Sequence, residues 1–230
     1  MASPFTFMAK IPPARWVMEE QYLKRAHQVT RRISPHIKKN EKIIDVGSGT
    51  GFVAKLLMEK TSAKITLVDV RHNPLCRSLP VRLYDGKKLP FPNNSFDTAS
   101  LITVLHHCAR PMDILDEAIR VASKKIIVME DLFESSLEKW LTLVEDSIVN
   151  WEFRGHPHNN KLEDEWVKIF RKKNLKVTNF EKFRLVCAGF PFRLGIFILE
   201  KQLLEKQVVQ KQPLGVSLTK KKTLTKDQWK

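Results

Sequence analysis

Two carboxylates and three glycines set the chemistry open to this chain. An apolar run, Ile43-Ile44, ends in Asp45, and Gly47, Gly49 and Gly51 follow at alternate positions. A second apolar run, KITLVDV, carries another acid, Asp69. Strand, glycine loop, helix, strand and acid, in that order, form the opening unit of a nucleotide-binding α/β fold. Glycine has no Cβ, so it enters left-handed turns and lets a ligand lie against the backbone. A carboxylate ending the second strand can accept hydrogen bonds from ribose hydroxyls. The set predicts a site for an adenosine-containing ligand.

The spacing narrows that ligand. A P-loop needs Gly-Lys followed by Ser or Thr, whereas Phe52-Val53 follows Gly51. A dinucleotide site needs two residues between its last two glycines, and here Thr50 stands alone. Asp45 would repel a pyrophosphate and suits a ligand with a positive amino group.

Further reactive side chains lie where such sheets bind ligands, beyond the carboxyl ends of the strands. Strand four runs into His106, His107 and Cys108. His107 is the candidate base there and His106 a candidate substrate contact, with a helix-start role as the alternative for each. Strand five closes on Glu130-Asp131, read as caps of the next helix or as substrate contacts. Later in the chain RGHPHNN holds Arg154, a partner for a substrate carboxylate or phosphate, and His156 and His158, candidate catalytic bases. A metal site made of His106, His156 and His158 has no supporting Cys or carboxylate pattern, so no metal is assigned.

Hydrophobic spacing supplies the elements. It predicts a helix over about 14–33, ended before Pro35, and strands at 42–46, 65–70, 81–84, 98–104 and 124–129. Helices fall at 52–60 and 112–121. The strands are nearly continuously apolar, as parallel strands covered on both faces are. Spacing then predicts a helix over 136–153 and a capping box, Asn160-x-x-Glu163, opening a helix to Lys173. Two last strands follow at about 176–180, resuming to 186, and at 193–200, with Pro191 in the turn between them. The expected fold is a Rossmann-like, doubly wound α/β domain. Its seven-stranded sheet is mostly parallel, with helices on both faces and a helical lid inserted at 132–160. Residues 1–40 form an N-terminal helical segment, 41–202 the domain, and 203–230 a disordered basic tail.

At 230 residues the chain suffices for one such domain. The net charge of +15 is uneven: +6 over residues 1–40, +3 over 41–200 and +6 over 201–230. The ends are therefore basic arms around a nearly neutral body. Three scattered cysteines fit a reducing compartment. No apolar run reaches the roughly 20 residues of a membrane span, and no secretory signal is read at the start. A cytoplasmic location is expected.

DVGSGTG, LVDV and LYDGKKLPFPNNSFDTASLITVLHH, taken together, resemble the class I S-adenosylmethionine-dependent methyltransferases, in particular the type 11 group. The resemblance is strong over about 40–130. It implies S-adenosyl-L-methionine as cofactor. Gly47, Ser48, Gly49 and Gly51 would carry the loop under its methionine and ribose, with Ser48 where the family often has Cys. Asp45 would face the amino group and Asp69 the ribose hydroxyls. Val70 and Arg71 would flank adenine, Asp85 and Gly86 would bond it, and Thr103 would offer main-chain contacts. The implied activity is in-line transfer of a methyl group to an oxygen or nitrogen of a small organic acceptor. Two alternatives stand beside it. One is an RNA or protein methyltransferase gripping its substrate with basic termini; LHHC stands where many base-amino methyltransferases carry an Asn-Pro-Pro-aromatic tetrapeptide, so a nucleic-acid partner is not favoured. The other is a non-catalytic binding protein on the same scaffold. Oligomeric state is not legible.

Overall fold

The computed structural model describes residues 7–133, 161–187 and 190–202. The predicted helix at 136–153, nearly all of the expected lid, Arg154, His156, His158 and the basic tail lie outside the described residues.

Helix α1, Pro12–Ile33, starts on two prolines whose fixed φ suits a first turn. It ends in a 3-10 turn, Ser34–His36. Strand β1, Lys42–Val46, leads through the glycine loop into α2, Phe52–Thr61, and β2 follows at Lys64–Asp69. Strands β3, Val81–Leu83, and β4, Phe96–Ile102, come next. A 3-10 turn at Leu105–His107 precedes α3, Pro111–Val121, and β5, Ala122–Asp131. Helix α4, Glu163–Lys172, and strands β6, Leu175–Cys187, and β7, Phe190–Lys201, complete the described chain.

The seven strands form one sheet in the order β3-β2-β1-β4-β5-β7-β6. The β3-β2, β2-β1, β1-β4 and β4-β5 pairs are parallel. The β5-β7 and β7-β6 pairs are antiparallel, so the sheet is mixed. The reason is local: β6 and β7 are joined by two residues, and a connection that short can only reverse the chain.

Alternate residues of the central strands feed two cores. Ile44, Val46, Leu101, Ile126 and Val128 pack under α3 and α4 with Trp166 and Phe170. Ile43, Ile127, Met129 and Ile196 pack with Val29, Ile33 and Leu57 of α1 and α2. Helices therefore cover both faces. Arg32 ties α1 to β6 by stacking 4.0 Å over the Phe183 ring and bonding Glu181 at 3.0 Å.

Two local expectations need correction. The helix expected to open on Asn160 and Glu163 begins at Glu163, and Glu165 accepts the Leu162 N–H at 2.8 Å. The reach-back carboxylate must stand at the third helical position, which here is Glu165. Pro191 lies within β7 opposite Val186, not in a turn. It sits beyond the last β7 residue paired to β5, Leu194, so its missing N–H leaves no bond of that ladder unmade. Leu132 and Phe133, the first residues of the expected lid, are buried, and the Leu132 N–H bonds the Arg193 carbonyl of β7 at 2.9 Å. Asp97 braces the entry to β4, accepting the Lys42 N–H at 3.0 Å and Lys124 at 2.8 Å. Among the described residues, no helix is long and apolar enough to cross a membrane.

Candidate cofactor and acceptor site

The four parallel pairs bring the carboxyl ends of β1, β2 and β4 side by side, and the chain bends sharply after each. After β1, Gly47 and Gly49 have φ of +70° and +52°, and after β4 Thr103 has φ of +53°. At Gly47 the need for glycine is steric as well: an added Cβ would lie 2.6 Å from a methyl of Val104. At Gly49 an added Cβ would enter open space, meeting only the Gly47 carbonyl at 4.0 Å. The bend thus presents a bare backbone to a cavity of about 540 Å³.

Both carboxylates expected there are present. Asp45 is buried at the β1 tip and accepts the Ser100 hydroxyl at 2.8 Å. Burial pushes its pKa up to about 6, opposed by Ser100 and reinforced by nearby Asp69. Asp69 accepts the Gly49 N–H at 2.9 Å and the Val70 N–H at 2.7 Å, so it fixes the glycine bend while facing the cavity. Ser48, Val70, Arg71, Thr103, His106 and His107 also line the cavity. The Thr103 N–H is already committed to the Met129 carbonyl at 2.7 Å.

Three expected cofactor residues lie outside this lining. Gly51 caps α2 and packs away from the cavity, where an added Cβ would meet Cys76 Sγ at 2.9 Å. Asp85 sits in a turn, accepting the N–H groups of Lys87 at 2.9 Å and Lys88 at 3.0 Å. Gly86 packs beside Val70, with a Cβ position 3.1 Å from its methyl.

Other residues enter that the sequence did not single out. Tyr22 and Arg25 reach the cavity from α1, and Arg25 donates to the Thr103 hydroxyl at 2.7 Å. Leu185, Phe192 and Leu194 form an apolar wall from β6 and β7. No local signal marks them, because each is delivered by the sheet's antiparallel end or by α1. Glu130 faces the turn after β4: its Oε1 accepts the Val104 and Leu105 N–H groups at 3.1 and 2.8 Å. It therefore holds the turn after β4, and its other oxygen meets His106 Nδ1 at 2.5 Å. Burial raises the Cys108 thiol to about 11 and the Tyr84 phenol to about 12. Neither is ionised near neutral pH. Among the described residues, no group of three or more His, Cys, Asp or Glu is placed to hold a metal ion.

A doubly wound sheet with a glycine bend between two carboxylates is the arrangement of class I S-adenosylmethionine-dependent methyltransferases, and the chain is similar to them in both fold and sequence. Residues 44–128 match the family model described as a methyltransferase domain. The chain is 30% identical over 98 residues to the ubiquinone/menaquinone biosynthesis C-methyltransferase UbiE of Neisseria meningitidis, a stretch covering 37% of this chain and 40% of the relative. It therefore spans about two fifths of the length of such curated relatives. The UbiE of Methylococcus capsulatus is 25% identical over 213 residues, covering 76% of this chain and 81% of that protein. Among solved structures, an S-adenosylmethionine-dependent methyltransferase of Methanosarcina mazei superposes with a TM-score of 0.59 at 17% identity, over 74% of this chain and 97% of that one.

S-adenosyl-L-methionine is the family's cofactor, and the residues present fit it. The bare glycine bend admits a ligand edge. The buried Ser48 hydroxyl, on the cavity wall, has no hydrogen-bond partner among the described residues. Asp45 offers a buried negative charge to an amino group, and Asp69 Oδ2 keeps a lone pair for a hydroxyl beyond its bond to Gly49.

Proposed function

We propose that this chain is an S-adenosylmethionine-dependent methyltransferase acting on a small organic acceptor with an apolar body. The carrying observation is the mixed lining of the cavity. Carboxylates and bare backbone share its lining with the apolar side chains Leu185, Phe192, Leu194 and Ile102. Its volume lies within the range of small-molecule sites, roughly 300–1,000 Å³. When bound, the cofactor supplies a methyl group already activated on a sulfonium. The protein's part is to align a nucleophile and exclude water. Asp45 neutralises the cofactor amino group, and Asp69 orients the ribose while keeping the bend in register. Asp85 and Gly86 are kept as adenine contacts at the rim, beside Val70.

The nucleophile on this reading is an oxygen or nitrogen. The relatives' name, C-methyltransferase, favours an acidic carbon as a second reading. Residues 41–202 form the catalytic domain, and 1–40 complete its cavity through Tyr22 and Arg25. Arg154, His156 and His158 remain proposed for the acceptor side.

Titration calorimetry with S-adenosylmethionine tests the cofactor half. Saturable heat that is abolished by Asp69→Ala is expected, and no heat with the wild-type chain would sink the reading. Release of S-adenosylhomocysteine over a panel of phenols, amines and 1,3-dicarbonyl compounds tests the acceptor half. Cofactor binding without turnover on any class would favour the non-catalytic alternative. Turnover on RNA that vanishes when 203–230 is removed, and falls steeply with salt, would favour the nucleic-acid alternative.

A further inference from the structure

His106 lies between two carboxylates and is itself almost fully buried, 1% exposed. Its Nδ1 is 2.5 Å from Glu130 Oε2, and its Nε2 is 3.6 Å from Asp131 Oδ2. Glu130 also accepts two backbone N–H groups, from Val104 and Leu105. The Nδ1 contact joins these two N–H bonds on the same carboxyl group, and with Nδ1 as its donor the ring is held in one orientation. Nε2, the other ring nitrogen, is left on the Asp131 side. His106 and Asp131 line the cavity, and Glu130 stands behind them. The three groups make a chain from the protein interior to the cavity wall.

The surroundings suit proton uptake. Burial raises the affinity of Asp131 for a proton, while His106 and Arg25 hold it back and Glu130 adds to the rise. A carboxylate raised in this way is a stronger base than an exposed one. Arg25 reaches the group from α1 and Glu130 neighbours it on β5. His107, with its ring centroid 4.1 Å from that of His106, and Cys108 belong to the turn after β4. At neutral pH Cys108 and Tyr84 already carry their protons and cannot serve.

We propose that Asp131 is the catalytic group that takes the acceptor's proton, and that His106, oriented by Glu130, is a positioning residue that shares it. The inference rests on the methyltransferase reading. In the step, the electron pair of the acceptor X–H bond stays on X, and X forms the bond to the methyl carbon. The carbon–sulfur pair stays on sulfur. The proton passes to the Asp131 carboxylate and on to His106 Nε2, and returns to solvent through the cavity after product leaves.

Nitrogen-15 NMR of the His106 ring in the full chain tests this with and without S-adenosylhomocysteine. Nδ1 is expected to keep its proton across about pH 5 to 9, while Nε2 titrates. Asp131→Asn is expected to lower the Nε2 midpoint by about one pH unit or more, the effect of removing a near opposite charge. Glu130→Gln is expected to break the exclusive protonation of Nδ1. Where that variant does not fold, Asp131→Asn decides. An Nε2 that never titrates, or an equal midpoint in Asp131→Asn and wild type, overturns the proposal. S-adenosylhomocysteine binding in the wild type is scored separately. Its absence would sink the methyltransferase reading, while the coupling of His106 to Asp131 would still be read in the free protein.

Discussion

The two halves of the cavity are built differently. On the cofactor half, Asp45, Gly47, Gly49 and Asp69 come from one strand-loop-helix-strand unit, and their geometry is largely backbone geometry. On the acceptor half, Arg25, Asp131, Leu185, Phe192 and Leu194 come from α1, β5, β6 and β7. They meet only because the sheet ends in an antiparallel pair and α1 is clamped across it. The first half is a local device that other chains can share. The second depends on the whole packing, and on the proposed reading it is the part that selects the acceptor.

Breaking the acceptor half without touching the cofactor half is the sharpest test. Asp131→Asn is expected to cut turnover by about a hundredfold or more, the usual worth of a general base, with S-adenosylmethionine affinity within twofold by calorimetry. Equal losses in both would merge the two halves. The reverse break is Asp69→Ala, expected to weaken cofactor binding by about a hundredfold through the loss of charge-assisted hydrogen bonds. Circular dichroism should show the fold retained.

Protonation separates the halves more gently. The folded-state value of about 6 for Asp45 lies above its unfolded value. The stabilisation from its protonation is complete below that unfolded value and is lost as pH rises through about 6. Cofactor binding needs the ionised form, so affinity should be about tenfold weaker at pH 5 than at pH 7. Asp45→Asn should flatten that dependence, and an unchanged slope would remove Asp45 from the amino-group site. In the apolar wall, Phe192→Ala should raise the acceptor KM several-fold and leave cofactor affinity unchanged. Removing 203–230 should leave turnover on a small acceptor the same within error.

Much of the frame was legible because its signals are short-range. Apolar runs bounded by glycine, proline and acids placed the strands to within a residue or two, as for β1 at Lys42–Val46, except that β7 begins three residues early at Phe190. The glycines and both acids marked the cofactor half for the same reason. Asp85, singled out with them, lies in a turn outside the lining, and the DG pair that marks it signals the bend the structure shows, with its adenine contact still a proposal. The continuation of β6 past Phe180 was less plain, since a bulge between Val177 and Asn179 breaks its alternation. Glu130 and Asp131 were visible as an acidic pair, yet neighbours in a strand face opposite ways, and only the turn after β4 shows what each one meets.

Sequence by itself determined the order of elements, the bare bend and the two carboxylates at its ends. These follow from φ preferences, hydrophobic period and charge within a few dozen residues. Tertiary structure alone decided that Arg25 would meet Thr103, 78 positions away, that His106 would sit between Glu130 and Asp131, and that the β6-β7 hairpin would wall the cavity. Those contacts depend on strand order and helix docking, which are settled by the burial of two cores at once and leave no mark at any one position in the chain.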